Sequence, residues 1–178
     1  MLLVVGGQSR KVGKTSVVAG LIRATPELCW TAVKIAGHRH IEKPGRGDTA
    51  RFLEAGAARA LLLGPSFAGM EALLVSGGNV ICESSRIGGN VRPDCRLLVI
   101  DPSREEWKES ARSLGASADA LVVTGAGEPP VWLGSKPLFR VAPPEWTSAA
   151  LVGFVLERLS RPASATETRS ATASRRAG

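Results

Sequence analysis

Short runs rich in Val, Leu and Ile recur along the chain with helix-length stretches between them: Leu2 to Val5, Thr31 to Ile35, Ala60 to Leu63, Val80 to Cys82, Leu97 to Ile100 and Leu121 to Val123. Continuous apolar runs are what strands covered on both faces require, whereas a strand with one wet face alternates. Helices are predicted from Lys14 to Arg23, Asp48 to Ala55, Phe67 to Val75, Arg104 to Leu114 and Thr147 to Leu159. Ser103, followed by Glu105 and Glu106, reads as the start of the fourth of these, and Gly115 as its close. Strands alternating with helices predict an α/β domain: a mostly parallel sheet with helices on both faces. The stretch from Gly37 to Gly47 has no periodicity and reads as a loop, in a place where α/β domains commonly carry function.

Composition bounds this picture without changing it. A chain of 178 residues is long enough for one compact domain. Its 44% hydrophobic and 22% charged residues exclude a disordered or fibrous class. The net charge of +7 is partly a property of the C-terminus, where Arg161, Arg169, Arg175 and Arg176 face one acid, Glu167. Residues 160–178 are otherwise Ala, Ser, Thr and Pro, so they are expected to form a disordered basic tail. The tail reads as a solvated appendage rather than a nucleic-acid arm, for it has no interleaved aromatics and no recognisable binding module. Cys29, Cys82 and Cys95 are odd in number and widely spaced, which fits small core residues in a reducing compartment better than a disulfide framework or a zinc site. The N-terminal Met1-Leu2-Leu3-Val4-Val5-Gly6-Gly7 lacks the basic start of a signal peptide. No apolar run reaches the roughly 18 residues of a membrane span. A cytoplasmic protein is expected.

The strongest chemical signal follows the first strand: Gly6-Gly7-Gln8-Ser9-Arg10-Lys11-Val12-Gly13-Lys14-Thr15-Ser16, then a helix. A helix N-terminus exposes unpaired N–H groups and the positive end of its dipole, so a glycine-permitted loop entering it is an anion cradle. This is the pattern of a phosphate-binding loop, in which Lys14, the candidate catalytic residue, meets the β and γ phosphates and the Thr15 hydroxyl sits on magnesium. Gly7, Gln8, Ser9, Arg10, Lys11, Val12, Gly13, Lys14, Thr15 and Ser16 are the candidate nucleotide-binding residues. Gln8 stands where the strict pattern has glycine, so the loop is one residue longer, a form that resembles the loop of dethiobiotin synthetase. Arg10 and Lys11 have two readings: charge held over the γ phosphate, or solvated residues on a loop tip.

Magnesium beside phosphates needs further oxygen ligands, and acids at strand ends supply them. The metal-site candidates are Thr15, Glu83 and Asp48. Glu83 emerges after Val80-Ile81-Cys82; its other reading is an acid paired with Arg86. Asp48 opens a helix behind the basic run Lys43-Pro44-Gly45-Arg46-Gly47, and its other reading is an N-cap. Asp101 reads as a turn residue. His38 and His40, one residue apart, lack a third metal ligand; beside Lys34, Arg39 and Lys43 they suit an anionic substrate or a plain surface loop equally.

Several of these segments together resemble the MobB family of molybdopterin-guanine dinucleotide biosynthesis proteins, within the wider group that includes dethiobiotin synthetase. The carriers are the N-terminal loop, Val33-Lys34 with His38 and His40, Lys43-Pro44-Gly45-Arg46-Gly47-Asp48-Thr49-Ala50-Arg51, Glu54-Ala55-Gly56-Ala57, and Glu83 at a strand end. The resemblance implies a P-loop NTPase domain over residues 1–159, GTP or ATP with Mg2+, dimerisation, a cofactor-biosynthesis protein partner, and an accessory part with slow hydrolysis. Its alternative is an ATP-dependent ligase or kinase of the dethiobiotin synthetase kind acting on a small anionic metabolite. Ser84-Ser85 stands where the family continues with Gly-Phe. A guanine-reading Asn-Lys-x-Asp segment is absent, so the base, GTP or ATP, is not legible.

Overall fold

The computed structural model describes residues 1–35, 45–64, 69–84 and 92–160. His38, His40, Lys43, Arg86 and the tail from Arg161 onward lie outside them. Among the described residues there are seven strands: β1 (Leu2–Gly7), β2 (Thr31–Ile35), β3 (Arg59–Leu63), β4 (Val80–Glu83), β5 (Cys95–Ile100), β6 (Ala120–Val123) and β7 (Leu138–Arg140). Five helices accompany them: α1 (Lys14–Ala24), α2 (Asp48–Glu54), α3 (Met70–Val75), α4 (Glu109–Ser117) and α5 (Ala149–Ser160). The strands form one sheet in the order β3-β2-β4-β1-β5-β6-β7, every neighbouring pair parallel.

The continuous apolar runs divide their side chains between two buried faces. Leu3, Val5, Leu97, Val99, Ala120 and Val122 pack with Val17, Leu21 and Ile22 of α1, Phe52 of α2, and Leu151 and Val155 of α5. Their alternates go the other way: Leu98, Ile100, Leu121 and Val123 meet Ala111 and Leu114 of α4, while Leu2, Val4 and Val33 meet Met70 of α3. Side chains in a strand alternate in direction, so only a run apolar at every position can fill both layers. The central strand β1 lies between β4 and β5, and chain order reverses there. In open α/β sheets that crevice, at the carboxyl ends of the strands, is where ligands bind.

Several local expectations are corrected. The fourth helix begins at Glu109, five residues after Arg104, and runs through Gly115 to Ser117. Ser103 does not cap it: its N–H and hydroxyl donate to Asp101 Oδ1 at 3.1 and 2.6 Å, closing the turn expected at Asp101. The last helix starts at Ala149, where the Ser148 hydroxyl accepts from the Leu151 N–H at 3.2 Å. Strand β7 was not legible because its three residues, Leu138-Phe139-Arg140, sit on a half-exposed edge and carry too short a pattern. Cys29 is exposed, whereas Cys82 and Cys95 are buried as expected. Burial pushes both of those thiols up to about 12, so they stay protonated and inert.

Candidate phosphate and metal site

Strand β1 delivers the chain at Gly7, and α1 takes it up at Lys14. Between them Gly13 has φ 88°, a left-handed conformation that costs glycine nothing, and its carbonyl accepts the Val17 N–H at 2.9 Å as the first helical bond. Lys14 folds back over the loop and its ammonium donates to the Ser9 carbonyl at 2.6 Å. Its aliphatic stem crosses Gly7: a Cβ there would stand 2.5 Å from Lys14 Cδ and 2.6 Å from Cγ. Burial lowers the Lys14 pKa, with Lys108 and Lys34 adding to the effect and Glu83 opposing it. An ammonium held among other cations at a helix N-terminus is suited to an anion.

The candidate loop residues divide into two groups. Gln8, Ser9 and Val12 are buried, while Arg10 and Lys11 are exposed at the tip, Lys11 with φ 59°. Gln8 spends its side chain on the protein: its Nε2 donates to the Arg104 carbonyl at 2.7 Å and its Oε1 accepts from the Asp101 N–H at 2.9 Å. The Gln8 carbonyl accepts from Lys108 N–H at 3.0 Å, so the extra residue of the loop bolts the 101–108 segment to it. On the other flank the Thr124 hydroxyl donates to the Val12 carbonyl at 2.9 Å, and the Trp146 ring packs against Gly13. Ser16 accepts from Arg51 Nη2 of α2 at 3.0 Å.

The three metal-site candidates come from distant parts of the chain and meet at one place. The Thr15 hydroxyl donates to Glu83 Oε2 at 2.8 Å. Lys34 donates to Glu83 Oε1, and its ammonium also lies 2.7 Å from Asp48 Oδ2. Residue pairing across β2 and β4 sets Lys34 opposite Glu83, so the register of the sheet brings these two side chains together. Asp48 is the first residue of α2, behind the N-cap Gly47, and its carboxylate reaches Lys34. Burial alone would raise the Asp48 pKa, but hydrogen bonding and charge from Lys34 hold it below the ordinary carboxylate value. Burial alone would lower that of Lys34, and Glu83 and Asp48 carry it upward.

The donor set is a hydroxyl and two carboxylates, hard oxygens of the kind magnesium takes. Among the described residues no group of three or more His, Cys, Asp or Glu is arranged to hold a metal. A hydroxyl and two carboxylates supply only part of the shell of such an ion, which commonly takes its remaining oxygens from phosphates and water. That an ammonium already sits between the two carboxylates shows that the position attracts positive charge. Lys34 is the residue whose role the sequence underplayed. It is the one charge inside an otherwise uncharged strand run, and a buried charge needs partners. Lys34 is a cationic partner of Glu83; the other reading of that acid, a pair with Arg86, rests on a residue outside the described ones.

No protein-family model matches the chain, and no curated protein does. Solved structures do. HypB of Helicobacter pylori, solved in complex with nickel, is 15% identical with a TM-score of 0.56, the match covering 88% of this chain and 86% of that one. The signal recognition particle 54 kDa protein of Aeropyrum pernix K1, in complex with GDP, is 19% identical with a TM-score of 0.49. That match covers 89% of this chain and 46% of the other, so the chain spans about half its length. At these identities the likeness bears on fold alone. No described helix is long and apolar enough to cross a membrane. The all-parallel seven-stranded sheet, the loop joining β1 to α1, and the likeness to HypB give this chain the α/β fold of the P-loop NTPases.

Proposed function

We propose that the chain binds a nucleoside triphosphate, GTP or ATP, together with Mg2+. The loop from Gly7 to Ser16 holds the phosphates in this reading, Lys14 neutralises them, and Thr15, Glu83 and Asp48 serve the metal. The observation that carries it is the Thr15 to Glu83 hydrogen bond, which couples the residue after the loop lysine to a buried strand-end acid 68 positions away. In this reading the tethered hydroxyl turns to a metal beside phosphates and the acid holds the metal's waters. Hydrolysis is slow on this reading. Both carboxylates are engaged with Lys34, which competes with any use of either as a general base.

The biological part we propose is that of an accessory protein in molybdenum cofactor biosynthesis, acting with a protein partner and as a homodimer. What supports it is the run from Lys43 to Ala57 together with Lys34 and Glu83, and that Asp48 of this run assembles with Lys34 and Glu83 at one site. Titrating labelled ATP and GTP against wild type and Lys14→Ala, with and without magnesium, tests the nucleotide reading and separates the bases. Charge-assisted contacts to phosphate contribute about 1.5–3 kcal/mol each, so Lys14→Ala should weaken binding at least about tenfold. Undiminished binding by that variant would remove the loop from the site. Normal molybdoenzyme activity in a deletion strain would remove the biological assignment and leave nucleotide binding standing.

A further inference from the structure

The Glu83 carboxylate is divided between two partners. One oxygen takes the Thr15 hydroxyl and the other faces the Lys34 ammonium, which reaches on to Asp48. Three elements meet in this contact: β4 brings Glu83, β2 brings Lys34 in register beside it, and α2 brings Asp48 from the far side of the 36–47 segment. Glu83 is 2% exposed, and Lys34 and Asp48 are 20% and 30% exposed, so the attractions are only partly screened by water. Lys34 thus occupies the ground between the two acids that a divalent cation would use.

We propose that Lys34 is an internal counter-ion that withholds the Glu83 and Asp48 carboxylates from a bare divalent cation and yields them to one delivered with a triphosphate. This rests on the nucleotide reading above. A hydrated metal ion entering between the acids meets the ammonium at close range and offers it nothing. Displacing Lys34 then leaves a partly buried ammonium without a partner, which is costly. A metal–triphosphate complex carries net negative charge, so it supplies the cation and an anionic partner for the displaced ammonium together. Lys34 also keeps two like charges, Glu83 and Asp48, from repelling each other before the ligand arrives. It is a positioning residue and sets the order of binding, nucleotide with metal rather than metal first.

The test uses the full chain and Mn2+ as the probe, read by electron paramagnetic resonance without nucleotide. Wild type and Lys34→Arg should take up Mn2+ weakly, and Lys34→Met, which keeps the stem and drops the charge, should bind it about tenfold more tightly or better. Mn2+ should correspondingly raise the melting temperature of Lys34→Met and leave that of wild type unmoved, a difference readable even in a less stable variant. With a non-hydrolysable triphosphate present, the gap between wild type and Lys34→Met should close. Equal Mn2+ binding by wild type and Lys34→Met without nucleotide overturns the proposal, as does Lys34→Arg behaving like Lys34→Met or a gap that persists with the triphosphate. If Lys34→Met does not fold, wild type decides: saturable nucleotide-free Mn2+ binding that Asp48→Asn abolishes overturns the proposal, and its absence supports it. Failure of the nucleotide reading is a separate result, seen as no triphosphate retained by wild type with magnesium.

Discussion

The side chain of Lys14 lies across Gly7, its Cγ and Cδ filling the space a Cβ at that position would take. Glycine ends β1 here because the lysine of the loop needs the room, which is a more specific reason than chain flexibility. Gly7→Ala is expected to force the Lys14 stem from its path, since a contact of 2.5 Å has no relaxed form. Overpacking of this kind costs about 1–3 kcal/mol, and the displaced ammonium should cost triphosphate affinity as well. Melting temperature and labelled-nucleotide titration measured on the same sample read both effects. Nucleotide affinity equal to wild type would show that Lys14 does not need that path.

Gln8 is expected to act through the fold rather than on phosphate. Its amide pairs with the Arg104 carbonyl and the Asp101 N–H, so Gln8→Ala strands those two backbone groups and opens a small cavity. A fully buried unsatisfied group costs about 1–3 kcal/mol, and these two part-buried ones together should cost about as much as one. Urea unfolding should show a loss of that order, and hydrogen exchange at Asp101 and Lys108 should accelerate ahead of exchange in β5. A stability unchanged by Gln8→Ala would mean that the 101–108 segment is held by other contacts.

Asp101 gives the same segment a dependence on pH. Its carboxyl is held below the ordinary value first by the Ser103 hydroxyl; burial, the next influence, opposes this, and Arg104 and the Ser103 N–H add to the lowering. A depressed carboxyl contributes stability that is present above the unfolded value of about 3.9 and is lost as pH falls through the folded value. Stability measured by urea unfolding from neutrality downward should therefore fall less steeply in Asp101→Asn than in wild type below about pH 4. Parallel curves for the two proteins would show that the turn adds nothing to the acid limb.

Legibility followed sequence distance. The run Leu2 to Val5, the glycines that flank the loop and the helix after Gly13 are signalled by residues adjacent in the chain, and they stand where the pattern placed them. Where two local signals competed, the outcome needed the fold. Ser103 with Glu105 and Glu106 is a fair helix start, but the Asp101 carboxylate takes the Ser103 donors and the helix waits until Glu109. Asp48 is a fair N-cap by position, but Lys34 takes its carboxylate. Strand β7 is three residues long and gains its place only by pairing with β6.

The chain's own letters determined the class of the fold and pointed to the candidate site at the end of β1, because apolar periodicity and the geometry of a helix N-terminus are properties of contiguous residues. They also named Thr15, Glu83 and Asp48 one by one. What only the tertiary structure decided is that these three come together, Thr15 on Glu83 and Lys34 between Glu83 and Asp48. That contact depends on the parallel register of β2 against β4 and on where α2 returns, and long-range pairing of this kind leaves no periodic trace along the sequence.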